Sequence, residues 1–154
     1  MLRLSTALRN AILDGTTGFK GGVSGGFLDL WSGGQPASSD DIATGTLLCR
    51  LYAGGVAGTG LTLGASASGV IAKTVAEVWQ GVGLATGSIG WFRYYDFVTD
   101  AATSYTTGAA ASTTQGRLDG SVSTSGADMN LSSVSVVSGA TVTLDTFQLT
   151  MPAS

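Results

Sequence analysis

The stretch 87-GSIGWFRYYDFV-98 decides the fold class. Side chains alternate across an extended chain, so Trp91, Arg93, Tyr95 and Phe97 share one face. Phe92, Tyr94, Asp96 and Val98 share the other. Aromatic residues suit a pleated, half-buried surface. Bulk on both faces predicts a strand covered on both sides. An aromatic stripe of this kind reads as core or subunit contact rather than as a carbohydrate platform.

Outward from that strand, period-two alternation recurs. "FLDLWS" (27–32) puts Phe27 and Asp29 on one side, Leu28 and Leu30 on the other, and "TLLCRLYA" (46–53) is a second strand. "GVIAK" and "AEVWQGVGL" read as two shorter strands, with a helical turn around Thr74–Val78 open as an alternative. "RLDGSVST", "DMNLSSVSVV" and "TVTLDTFQLTM" follow, separated by Ser-Gly turns. In the last of these the apolar phase runs Val142, Leu144, then Phe147, Leu149, Met151. That slip at Asp145-Thr146 predicts a bulge, or a bend where the chain changes sheets. Seven to eight strands with Gly-rich turns predict a mostly β protein, an antiparallel β-sandwich or jelly roll.

One short helix is expected. Ser5 is a good N-cap, Leu8, Ala11 and Ile12 recur at helical spacing, and Gly15 closes the run, giving Thr6–Asp14. The following "GTTGFKGGVSGG" is read as loop, since six glycines oppose regular structure. The chain thus divides into an N-terminal helix and Gly-rich arm (1–26) and a β-sandwich domain (27–154). Two placements of the helix are open. It either docks on a neighbouring subunit through Leu2, Leu4, Leu8, Ile12 and Leu13, or caps its own sandwich.

Composition excludes several functions. Only 11% of the 154 residues are charged, where about 25% is ordinary. The chain is 44% hydrophobic with a mean hydropathy of +0.33, which opposes disorder. Seven scattered basic residues and a net charge of −3 give no phosphate-binding patch, so no nucleic acid is expected as a partner. No apolar run approaches membrane-spanning length, and none at the N-terminus resembles a signal peptide, so no membrane partner is expected. With no His and one Cys, zinc sites and His-dependent triads are ruled out, and no cofactor is expected. Cys49 reads as a buried small hydrophobe. The acids Glu77, Asp96, Asp100, Asp119 and Asp128 form no glycosidase motif, and Asp40-Asp41 lacks the pattern of a calcium loop. Arg93 with Asp96, and Arg117 with Asp119, are candidate ion pairs. No enzyme is expected.

The segment 130-NLSSVSVVSGATVTLDTFQLTMP-152 alternates apolar residues with Ser and Thr and carries one charge, Asp145. Interface cores are depleted of charge because desolvating it is costly. Short hydroxyl side chains lose little freedom and satisfy hydrogen bonds to a neighbour. Such faces suit a protein covered in an assembly, with Trp31, Trp91, Arg93 and Tyr95 as further candidate contacts and a homo-oligomer as the expected state.

The strings "LRLSTALRNAIL", "LWSGGQPASSDD", "TGTLL", "GSIGWFRYYD" and "RLDGSVSTSGADMNLSSVSVVSGATVTLDTFQLTMP" resemble small structural proteins of tailed double-stranded DNA bacteriophages and related prophages. The likeness covers most of the chain and carries no catalytic signature, so no functional residue transfers. It implies a virion component with a β-sandwich body, assembled in the host bacterial cytoplasm. Its partners would be the major capsid protein or other virion proteins. A capsid decoration or cement protein is the first expectation. A tail, neck or adsorption-apparatus protein, binding another virion protein or a host receptor, is the alternative.

Overall fold

A computed structural model describes residues 1–14, 18–23, 25–96 and 110–150. Expectations that fall on Gly15, Phe97, Val98, Asp100 and Met151 lie outside the described residues. In chain order the elements are β1 (Arg3–Leu4), α1 (Thr6–Leu13), α2 (Gly18–Gly21), β2 (Phe27–Ser32), β3 (Leu47–Ala53) and β4 (Val70–Ala72). Then come β5 (Trp79–Val82), β6 (Gly87–Tyr95), β7 (Arg117–Ser123), β8 (Met129–Asn130), β9 (Ser135–Val136), β10 (Thr141–Leu144) and β11 (Gln148–Thr150). The fold is mostly β, as the alternation predicts. Strands β1-β7-β6-β2-β3-β5-β10 form one large sheet, with β8 paired to β7 and β9 to β6, while β11 and β4 form a second, small sheet. Pairing is antiparallel except between β7 and β8.

Register explains the layers. Leu28 lies opposite Leu51 and Tyr94, and Leu30 opposite Cys49 and Phe92, so these side chains build one continuous apolar face. It packs against Leu61, Leu63, Trp79 and Phe147 in the main core. Rings interlock there, Phe147 standing 5.4 Å from Trp79, 5.9 Å from Phe92 and 5.8 Å from Tyr94. Gly120 is required on this face, because a Cβ would come within 2.5 Å of the Phe92 ring.

The phase slip has the expected structural meaning. β10 pairs with β5 in the large sheet, the ladder breaks after Leu144, and β11 pairs with β4 in the small one. Phe147, buried between the two strands, anchors the crossing.

Two expectations need correction. A second helix, α2, occupies part of the glycine run, a single turn held by packing of Phe19 against the core. "DMNLSSVSVV" is not one strand but two short ones, β8 and β9. Between them the Ser133 hydroxyl accepts the Ser135 N–H, a local bond that competes with a ladder. Of the two placements open for the N-terminal segment, docking on a neighbour or capping its own sandwich, the chain by itself shows the second. β1 pairs with β7, and Leu8 and Val23 sit in the main core, so the N-terminal segment lies against the chain's own body. Ser5 fixes this placement. Its hydroxyl accepts the N–H of Leu8 (3.2 Å) and of Arg117 (2.9 Å) and donates to the Gln115 carbonyl (2.7 Å).

Candidate functional site

The second face of the large sheet holds an arrangement the sequence reading did not foresee. At one level across five adjacent strands stand Arg50 (β3), Asp29 (β2), Arg93 (β6), Asp119 (β7) and Arg3 (β1), each in register with the next. Charge alternates along the row, so each carboxylate lies between two guanidiniums. Arg50 donates from Nε and Nη2 to the two oxygens of Asp29 at 2.7 and 2.8 Å. Arg93 does the same to Asp119 at 2.8 and 2.7 Å. These are bidentate, charge-assisted pairs. Arg93 pairs with Asp119, and Arg117, whose charge also acts on Asp119, donates to the Gln115 side chain and the Ala110 carbonyl.

Asp29, Arg50, Arg93 and Asp119 are all buried. Burial pushes both carboxyls above their ordinary range, against the pull of the arginine bonds. Aromatic residues fill the rows on either side. Trp31 stacks on Trp91 with centroids 5.6 Å apart, and the Arg93 guanidinium lies 5.4 Å from the Trp91 ring. The Arg50 guanidinium lies 5.5 and 5.3 Å from the rings of Phe27 and Tyr95.

The 33–46 loop roofs this face. Trp91 Nε1 donates to the Thr44 carbonyl (3.2 Å) and Arg93 Nη1 to the Asp41 carbonyl (3.1 Å). Gly90 permits the close approach, since a Cβ there would meet the Gly33 carbonyl oxygen at 2.0 Å. Asp40 ties the loop to α1 by accepting the Thr6 N–H and hydroxyl at 2.9 and 2.6 Å.

The predicted contact residues therefore separate. Leu8, Trp31, Trp91, Arg93 and Tyr95 are interior residues of this chain. Leu4 and Ile12 are half-buried and packed on the core. Leu13, 83% exposed, and Leu2 face outward. Leu2, Leu4 and Ile12 also line a groove of about 550 Å³ with Phe19, Ile71 and Leu149, between the N-terminal segment and the small sheet.

Among the described residues the candidate acids Glu77, Asp119 and Asp128 stand in separate surroundings. Glu77 accepts the Thr62 N–H and hydroxyl and the Trp79 indole N–H, at 2.8, 2.7 and 2.6 Å. Asp128 accepts the Ser121 N–H and hydroxyl, and Asp119 belongs to the buried row. Among the described residues no three His, Cys, Asp or Glu gather as metal ligands, and no helix is long and apolar enough to cross a membrane. The hydroxyl alternation does reach the surface. Ser132, Ser133, Ser135, Thr141 and Thr143 are exposed, while Val136 and Leu144 point inward.

Comparison with known proteins finds no match: no family model, no curated protein and no solved structure matches the chain.

Proposed function

We propose that the chain is a structural protein of a tailed-phage virion, a capsid decoration or cement protein that binds capsomers and stabilises the head without catalysis or cofactor. The observation that carries this reading is where its few charges go. Two of ten acids and three of seven bases are withdrawn into the sheet interior, and the strand faces left outside carry Ser and Thr. Such a surface can be covered by a neighbour at little desolvation cost. The resemblance of the quoted strings to small phage structural proteins supports the same reading. The partners would be the major capsid protein and further copies of this chain, in particles assembled in the bacterial cytoplasm.

Quantitative mass spectrometry of purified particles from a phage carrying this gene tests it. A copy number comparable with that of the major capsid protein is expected. A few copies per particle would move the chain to the tail, neck or adsorption apparatus, and absence from particles would overturn the virion reading.

A further inference from the structure

The two ends of the large sheet are treated differently. β1 is two residues long and carries Arg3, whose carbonyl accepts the Ser39 hydroxyl at 2.9 Å; the Met1 carbonyl beside it accepts from Gln35 at 3.1 Å. That edge is short, charged and capped, the usual protection against stray pairing. β10, at the opposite end, pairs among the described residues only with β5. Its sequence, Thr-Val-Thr-Leu, contains no charge, proline or glycine. Thr141 and Thr143 are exposed, and the register partner of Thr141 is Val82, itself 56% exposed; Leu84 (41%) and Val137 (56%) extend this uncharged apolar margin.

We propose that the free edge of β10 is a self-association site, where two copies of this chain pair β10 with β10 antiparallel and continue the sheet across a two-fold axis. An unpaired row of N–H and C=O groups is complementary to another extended strand. The sequence then selects a second copy. Residues directly opposite in an antiparallel pair point to the same face, so the axis passes through a residue. With the axis at Val142, Thr141 of each copy lies opposite Thr143 of the other, Val142 meets Val142, and Leu144 meets Ala140. Hydroxyl faces hydroxyl and apolar faces apolar. Asp145, the nearest charge, falls opposite Gly139, so no like charges meet. Elsewhere the encounter is less favourable, because eight acids and four bases remain outside the buried row and two copies repel. An isologous contact of this kind closes at a dimer. The pairing does not depend on the virion reading, and its test uses the purified chain alone, so either can fail without the other.

Sedimentation velocity of the full chain should show twice the chain mass. Thr141→Lys/Thr143→Lys and, separately, Thr141→Glu/Thr143→Glu should each return it to a monomer with an unchanged far-UV spectrum. Mixing the two variants should restore the dimer, since Lys then faces Glu across the axis. In the unmodified protein, amide hydrogen exchange at 141–144 should slow as concentration rises. A monomer at every concentration, a Lys variant that stays dimeric, or exchange at 141–144 that ignores concentration overturns the proposal. So does failure of two folded variants to pair on mixing.

Discussion

At the scale of single residues, the buried row poses the sharpest energetic question. Removing one partner of a buried ion pair strands the other charge and costs about 3–5 kcal/mol, while replacing both by apolar groups is often neutral or stabilising. Asp119→Ala, which removes the bidentate carboxylate partner of Arg93 in the sheet interior, should destabilise the fold by that amount in urea unfolding. Arg93→Met/Asp119→Leu should recover most of the loss. A single change worth under about 1 kcal/mol, the scale of an exposed pair, would show that water reaches the row. Cys49 supplies a pH signature. Burial first, then the Asp29 charge, pushes its thiol up to about 12 from an ordinary 9.0. For an acid with a raised folded pKa, the unfolded chain loses its proton first. The stabilisation is therefore complete below about 9 and is lost as pH rises from there toward 12. Cys49→Ala should flatten the alkaline fall in unfolding free energy. Tyr94, also raised by burial, keeps part of that slope. Equal slopes in the two proteins would mean that Cys49 is solvated.

At the scale of elements, α1 depends on one hydroxyl. Ser5→Ala removes an N-cap and also strips partners from the backbone at Gln115 and Arg117, deep in the β7 margin. The loss should reach the upper end of the capping range, about 2 kcal/mol. Deleting residues 1–14 should abolish folding altogether, because β1 and the fully buried Leu8 leave with them. A truncated chain with a native far-UV spectrum would restore the detached-arm reading. What was legible in the sequence followed from period. The bounds of "FLDLWS" match β2, and the slip at Asp145-Thr146 marks the passage from β10 to β11. What was missed depended on register, which is non-local. Asp29, Arg50 and Arg93 are each the one charge of their strand, and Asp119 shares β7 with Arg117, so within its own strand none of them shows the partner it takes across the sheet. Only the alignment of four strands reveals four such charges at one level. A signal existed nonetheless, since β2, β3, β6 and β7 each carry a charge near the middle, Asp29, Arg50, Arg93 and Asp119, whose signs cancel. The choice between the two placements of the N-terminal helix was not legible for a similar reason, since the core that Leu8 joins is assembled from distant strands.

At the scale of the whole molecule, this distribution of charge predicts how its contacts answer to salt. Ionic strength screens exposed charges, with a Debye length falling from about 10 Å at 0.1 M to about 3 Å at 1 M, but reaches buried pairs much less. The bidentate arginine–aspartate pairs are inside the sheet, the Met1 ammonium pairs with Asp128 at the surface, and the β9 and β10 faces left for partners are hydroxyl and apolar. Neither the fold nor its associations should therefore be held by screenable attraction. Adding sodium chloride to 1 M should leave the urea midpoint nearly unchanged. It should strengthen self-association, since the excess of acids that keeps copies apart is the term that screening removes. Lowering the pH toward the isoelectric point near 4.5 should act in the same direction. If the chain is seated on phage heads, high salt should fail to strip it from purified particles, while urea, which weakens both apolar burial and hydrogen bonding, should release it. Release by salt alone would place the contact on the scattered surface arginines and lysines, and would remove the physical reason for reading the hydroxyl-rich faces as covered ones.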